Sequence, residues 1–312
     1  MTAPLRVVVT GRHGQVARSL QEIAAAKSVE VIAVGRPQLE LTRSATVEAA
    51  IAPLAPHVIV NAAGYTDTEK AELEPELARV VNVEGAHAVA LCARRLGVPL
   101  IHLSSSYVFD GQSAVPYRED APLNPLGAYG KTKAEAEAVV ATAYADHVIL
   151  RTSLVFSPFG RNSLTSLLKR AEAQNDVRVV TDQSVNPTAA FDLADGVIAV
   201  ARNLMGARND AHFGIFHLTN RGAATPAEFA AALFACSARH GGTSAKVVPI
   251  TAEQYGSRVR RPANSQLDCS KIAAVHGVVL PPWEPQLRVC VRTAASPTRS
   301  RTCADTSATA HS

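Results

Sequence analysis

Short runs of aliphatic residues recur through the first half of the chain at Leu5–Thr10, Val29–Val34, Val58–Val60, Leu100–Leu103 and Val148–Leu150. Each is apolar along its length rather than alternating, the pattern of a strand with both faces buried. Helical spacing fills the gaps, with Val16, Leu20 and Ile23 after the first run and Leu77, Val80, Val81, Val89 and Leu91 after Pro75. Ser44 stands where it would cap a helix running toward Ile51. Strands of this kind, separated by helices, pair in parallel and need helices on both sides. The expected class is α/β, a doubly wound parallel sheet over residues 1–155. A smaller C-terminal α+β substrate domain follows over 156–288. Segments near 176–218 are expected to return to the first unit.

The turn Gly11-Arg12-His13-Gly14-Gln15 falls between the first strand and its helix, where a Rossmann-like core binds a dinucleotide. Glycine lets the backbone approach a pyrophosphate, and the N-terminus of the next helix, starting near Val16, offers N–H groups to it. A strand-to-helix turn can need a glycine for its own geometry, so position carries the reading. The second strand ends in Gly35-Arg36, where an acid would hold a ribose 2′-hydroxyl. Arg36 favours a 2′-phosphate and so NADP over NAD, although Glu40 lies close. The third strand ends in Asn61-Ala62-Ala63-Gly64-Tyr65-Thr66, small enough for a ribose to lie against it.

Tyr129 and Lys133 are four residues apart in Tyr129-Gly-Lys-Thr-Lys133, hence on one face of a helix. An ammonium beside a phenol lowers the phenol's pKa and makes it a ready acid for a carbonyl oxygen. The run Ser104-Ser105-Ser106-Tyr107, at the end of the fourth strand after Leu103, can supply a hydroxyl to that oxygen. Tyr-x-x-x-Lys alone also fits an ordinary helix face. What raises it is convergence, since all three features open onto the carboxyl-terminal edge of one sheet.

Composition excludes several classes. No apolar run reaches the ~18 residues of a membrane span, and Met1 to Pro4 lead into the first strand without a signal-peptide pattern. Cys92, Cys236, Cys269, Cys290 and Cys303 show no Cys-x-x-Cys spacing, so reduced thiols and a cytoplasmic location are expected. Three of the four net positive charges lie from Arg288 onward, where Arg288, Arg292, Arg299 and Arg301 stand against Asp305, and no nucleic-acid partner is expected. The tail, 289–312, is rich in Ala, Ser, Thr and Arg and is expected to be disordered.

Taken together, the motifs resemble the extended short-chain dehydrogenase/reductases, and among them the dTDP-4-dehydrorhamnose reductases. The resemblance covers about residues 5–288. It rests on Gly11-x-x-Gly14-Gln15, Asn61 to Glu72, Ser104…Tyr107-Val-Phe-Asp-Gly111, Pro125 to Lys133 and Leu150-Arg-Thr-Ser153. It continues in Asp182-Gln183…Pro187-Thr188 and in Arg261 to Leu267. The resemblance implies NADPH-dependent reduction of the 4-keto group of dTDP-4-dehydro-L-rhamnose, with NADH as an alternative donor. On that template Tyr129 is the proton donor and Lys133 lowers its pKa while gripping the nicotinamide ribose. Ser105 stands at the family's threonine, which holds the reacting oxygen. Gly14, Gln15 and Val16 match positions beside the pyrophosphate, with Gly11 and Arg12 in the same turn. Glu40 and Leu41 match positions near the adenosine. Ala63, Gly64, Tyr65, Thr66 and Leu103 match the nicotinamide side.

Three departures bear on the sugar. Ser105 keeps only the hydroxyl of a threonine, Ser106 replaces an aspartate, and Leu154 replaces a tryptophan against the substrate. Arg261, with Arg161, Asn162, Arg258 and Arg260, is a candidate for the diphosphate, against the reading of solvated surface residues. Trp283 reads as a packing anchor. Some relatives dimerise through a glutamate-held metal. No metal-ligand spacing here points to Mg2+, and a homodimer stays open. Two other readings stay open: a non-catalytic NADP-binding regulatory subunit, of the kind that pairs with methionine adenosyltransferase, and a sugar-nucleotide epimerase or dehydratase. Tyr129, Lys133 and Ser105 argue against the first, and the missing carboxylate at Ser106 argues against a dehydratase.

Overall fold

A six-stranded, all-parallel sheet organises the chain, in a computed structural model that describes residues 4–295. In chain order the first half gives β1 (Leu5–Thr10), α1 (Gln15–Ala24), β2 (Val29–Val34), α2 (Ala45–Ile51) and β3 (Val58–Asn61). It continues with α3 (Thr68–Leu73), α4 (Pro75–Arg79), α5 (Gly85–Leu96), β4 (Leu100–Ser105), α6 (Ala128–Ala143) and β5 (His147–Thr152). The second half adds β6 (Val155–Phe156), α7 (Ser163–Ala173), β7 (Asp176–Val180), β8 (Thr188–Ala189), α8 (Ala190–Leu204) and β9 (Gly214–His217). It closes with α9 (Pro226–Arg239), β10 (Lys246–Ile250), α10 (Ala252–Tyr255), α11 (Ser270–His276) and α12 (Glu284–Ala295).

The sheet order is β2-β1-β3-β4-β5-β9, so the chain reverses direction across the sheet between β1 and β3. Ligands of open α/β sheets bind at the carboxyl ends of the strands beside such a reversal. Val7, Val8, Val9, Val58, Ile59, Val60, Leu100 and Ile101 are fully buried, as expected for strands covered on both sides. One side packs on α1 and α8 through Leu20, Leu193 and Val197, the other on α2, α5 and α6 through Ile51, Val89 and Val140. Burial of each such side chain contributes roughly 1.5–3 kcal/mol, so the sheet is the rigid frame on which the strand ends are displayed.

A second core joins α7, α9 and α12 with β7 around Phe156, Leu167, Val177, Phe229, Leu233 and Trp283. Within the stretch 176–218, β9 pairs with β5 and α8 packs on the large sheet, whereas β7 pairs with β10 in a small sheet of its own. Three local expectations change. Ser44 sits at the N-cap of α2 without a side-chain cap bond. The helix expected after Pro75 is interrupted by a π turn at Val80–Glu84. Finally, α12 runs through 289–295 instead of leaving them disordered. Trp283, Leu287, Cys290 and Val291 are buried at helical spacing, which supplies the apolar face that composition alone concealed. Residues 296–312 of the expected tail lie outside the described residues. Among the described residues no helix is long and apolar enough to cross a membrane.

Candidate active site

Gly11 leaves β1 with φ +98° and donates its N–H to the Val34 carbonyl at 2.7 Å, which pins the turn to β2. A Cβ at Gly11 would lie 3.3 Å from the Ala63 backbone, so both the left-handed conformation and the close approach call for glycine. Gly14 is the N-cap of α1 and has no side chain to cap it, which leaves the first-turn N–H groups to an anion. Gln15 points elsewhere. Its amide donates to the Val155 carbonyl at 3.3 Å and accepts from Ser157 at 3.2 Å, tying α1 to the second half. Val16 faces the core, so only its backbone can serve a ligand.

At the end of β2, Arg36 is exposed and pairs loosely with Glu40 at 3.9 Å. Arg12 packs over Gly35, where a Cβ would come within 3.1 Å of its side chain, and its guanidinium reaches Gln38 at 3.3 Å. Two guanidinium groups thus stand at the carboxyl end of β2. Leu41 is buried behind α5 and forms wall rather than polar contact.

The Gly64-Tyr65-Thr66 segment is held by Asn82, a residue that the sequence did not single out. From the π turn, Asn82 accepts the Tyr65 N–H at 2.7 Å and donates to the Tyr65 carbonyl at 3.1 Å and to Thr132 at 2.9 Å. Thr132 in turn donates to the Tyr129 carbonyl, so this loop and α6 are fixed to each other. The Tyr65 hydroxyl donates to Glu74 at 2.6 Å, and that carboxylate pushes the phenol up to about 12.

Helix α6 is set against the strand ends by two contacts. Glu72 accepts the Ala128 N–H at 2.7 Å, so a carboxylate sits at the positive helix N-terminus. Gly130 packs on the Tyr107 carbonyl so closely that any Cβ would overlap it. This places the Tyr129 phenol beside the Ser105 side chain, which draws the phenol's pKa down. Ser105 also accepts the Tyr107 N–H at 3.2 Å, and the Tyr107 ring meets Tyr129 edge-on at 5.9 Å. Lys133, on the next turn, is buried and donates to the Leu103 carbonyl at 2.5 Å.

The charge states correct one expectation. Burial pushes the Tyr129 phenol up to about 12, and the Ser105 hydrogen bond offsets this only in part. Lys133 does not contribute to that value while its ammonium is turned to Leu103, and burial draws the lysine itself down to about 8, with Glu137 opposing. A phenol that stays neutral at physiological pH still suits proton donation.

Around this centre, the Arg261 guanidinium draws the Tyr107 phenol's pKa down against its burial, and is braced by Glu69 and Ser257, each at 2.9 Å. Ser106 is buried, and Leu154 has φ +34°, a conformation rare for a branched residue, with its carbonyl accepting from Thr188 at 3.1 Å. Arg161 pairs with Asp67 at 3.0 Å, while Arg258 and Arg260 are exposed. Asn162 leaves the list of phosphate candidates, since it caps α7 and donates to the Ser157 and Phe159 carbonyls. Trp283 is buried on Phe229, as its packing role requires. No cluster of metal-ligating side chains occurs among the described residues.

A neutral, half-buried phenol beside a serine suits a reaction in which a carbonyl oxygen gains a proton. The Gly11–Gly14 turn, two strands away in the sheet, opens onto the same carboxyl edge. That combination, on this sheet, defines an extended short-chain dehydrogenase/reductase. Within that class the chain belongs to the dTDP-4-dehydrorhamnose reductase family, since the family described as RmlD substrate binding domain matches residues 5–296. A dTDP-4-dehydrorhamnose reductase of Sinorhizobium fredii is 42% identical over 284 residues, covering 91% of this chain and 96% of the relative. The crystal structure of a dTDP-4-dehydrorhamnose reductase from Clostridium acetobutylicum superposes with a TM-score of 0.85 at 28% identity, covering 93% of this chain and 100% of that one. The enzyme from Bacillus anthracis, solved in complex with NADP, gives a TM-score of 0.84 at 26% identity, covering 93% and 99%.

Proposed function

We propose that this protein uses NADPH to reduce the 4-keto group of dTDP-4-dehydro-L-rhamnose, giving dTDP-L-rhamnose. The observation that carries the reading is the placement of Tyr129 on α6 beside Ser105 and Tyr107 at the carboxyl edge of β4, in a chain that matches the reductase family over nearly its whole length. When bound, NADPH supplies the hydride that reaches the sugar carbon. The protein's part is to hold and protonate the oxygen. Ser105 donates a hydrogen bond to it, Tyr129 transfers its proton as negative charge develops, and the Lys133 ammonium stabilises the phenolate left behind. In this reading Lys133 exchanges the Leu103 carbonyl for the nicotinamide ribose.

The residues present fit NADPH. Gly11 and the bare N-terminus of α1 form a pyrophosphate cradle, and Arg12 and Arg36 complement a 2′-phosphate. Ala63, Gly64, Tyr65 and Thr66 border the nicotinamide side. Ser105, Ser106, Leu154 and Arg261 border the sugar nucleotide, the last through Tyr107. The free cysteines Cys92, Cys236, Cys269 and Cys290 support a cytoplasmic location. A small sugar nucleotide, not nucleic acid, is the partner in this reading, and a homodimer is the assembly to look for by light scattering. The test is loss of NADPH absorbance with dTDP-4-dehydro-L-rhamnose, repeated with NADH and with a UDP-linked analogue. Turnover with NADPH and the dTDP sugar supports the reading. NADPH binding without oxidation by any 4-keto sugar would replace it with the regulatory-subunit reading.

A further inference from the structure

Beneath the proposed catalytic residues lies a buried ion pair with no part in the mechanism above. Tyr129, Lys133 and Glu137 follow one another at four-residue steps along α6, so the three side chains descend one side of the helix. Glu137 and Arg151 are almost wholly buried, at 3% and 1% exposure. Arg151 donates to Glu137 through Nε at 3.0 and 3.2 Å and through Nη2 at 2.7 Å. Ser104 donates to the same carboxylate at 2.5 Å. Ser104 and Arg151 are register partners on β4 and β5, so one carboxylate binds the ends of two adjacent strands to the catalytic helix.

The residue after Ser104 is Ser105, whose hydroxyl meets Tyr129, and the residue before it is Leu103, whose carbonyl receives Lys133. The carboxylate therefore grips β4 between the two points at which β4 touches the catalytic pair. The remaining donor of Arg151, Nη1, is spent on the Glu119 carbonyl at 3.2 Å and on His217 at 3.4 Å. His217 donates its other ring nitrogen to the Tyr117 carbonyl, which leaves Nε2 as the acceptor for Arg151. The pair is thus saturated with hydrogen bonds, the condition under which burying two charges is tolerated.

We propose that Glu137 is a positioning residue of the Tyr129–Lys133 pair: clamped by Arg151 and Ser104, it fixes the rotation of α6 against β4. This inference rests on the reductase reading of the site. The groups facing this cluster are few. His102 from β4 is buried and neutral beside Lys133, and Arg151 and His217 face Glu137 from β5 and β9. From α3, Glu72 meets the far N-terminus of α6. From α4, Arg79 pairs with Glu135 on the outer side, and from α5 Arg94 reaches the Ala143 carbonyl in the last turn. Among the described residues, Glu137 is the carboxylate that holds the Lys133 ammonium up against its burial.

The test is the pH profile of kcat for Glu137→Gln and for the double variant Glu137→Gln/Arg151→Met, beside Tyr129→Phe. The single change keeps the shape and the Ser104 bond but strands the Arg151 charge. The double change removes both charges, so it is read if the single variant does not fold. A loosened helix and a less charged lysine predict a kcat lower by about 10- to 100-fold. The KM values for NADPH and sugar should stay within about threefold of wild type, because the turn after β1 and the residues of the second half are untouched. The alkaline limb of kcat should move to lower pH, since Lys133 would lose its proton earlier. Wild-type kcat and an unmoved limb in either folded variant would overturn the proposal, as would full recovery of both in the double variant. Tyr129→Phe separates the two failures. If that variant stays active, the reductase reading of the site falls. If it is inactive while the Glu137 variants behave as wild type, only the present inference falls.

Discussion

Replacing Gly130 by alanine sets two physical effects against each other within the catalytic helix. Propensity alone favours the change, because alanine is about 1 kcal/mol better than glycine in a helix interior. The structure opposes it. A Cβ at position 130 would overlap the Tyr107 carbonyl, come within 3.1 Å of its carbon and stand 3.0 Å from Pro125. Two of these neighbours are backbone atoms that cannot rotate away, so the cost falls at the upper end of the ~1–3 kcal/mol typical of overpacking. The net effect is a loss of about 2 kcal/mol, read as a Tm lower by about 4 °C in a chain of this size. The larger effect is on chemistry. To relieve the overlap α6 must move away from the β4 end, carrying Tyr129 from Ser105, and a displacement of ~1 Å costs about 100-fold in kcat. Thermal unfolding with steady-state NADPH oxidation reads both quantities. A Gly130→Ala protein with a raised Tm and wild-type kcat would show that α6 does not bear on Tyr107 as described.

Other outcomes follow from the same geometry. Ser105→Ala should lower kcat by about 100-fold through loss of one donor to the developing oxyanion, whereas Ser105→Thr, which keeps the hydroxyl, should remain within a few fold of wild type. Arg12→Ala with Arg36→Ala should raise the KM for NADPH by about 10-fold or more and leave that for NADH unchanged, measured by initial rates. The pH dependence of stability has a defined sign. His217 is drawn down to about 3 by burial and the Arg151 charge, and His276 to about 4 by burial. Below the ordinary histidine value of 6.5 the unfolded chain takes up protons that the folded chain refuses, so urea midpoints should fall as pH drops from 6.5 toward 4. His217→Gln should flatten that slope.

Where the sequence was informative, one residue's environment followed from its near neighbours. The strands β1, β3, β4 and β5 were legible because burial on both faces leaves an uninterrupted aliphatic run. Tyr129 and Lys133 were legible because a helix brings i and i+4 together. The direction in which Lys133 points was not, since the Leu103 carbonyl lies 30 positions away in another element. The same holds for Glu137 and Arg151, and for Asn82, whose three bonds depend on a local π turn that no composition signal marks. Asn162 resembled a ligand because its capping partners, Leu164 and Thr165, carry no polar signature at their backbone N–H. Helix α12 was hidden for a different reason. Its buried stripe of Leu287, Cys290 and Val291 is narrow, and the surrounding Arg, Thr and Ala residues dominate any reading by composition.

The central claim is that Tyr129 gives the proton. It is tested most directly by single-turnover NADPH oxidation in Tyr129→Phe with dTDP-4-dehydro-L-rhamnose, alongside NADPH affinity measured by fluorescence. The account predicts a rate lower by at least about 100-fold with cofactor affinity within about threefold of wild type, because phenylalanine removes only the hydroxyl. A wild-type single-turnover rate in a variant that binds NADPH normally would contradict it.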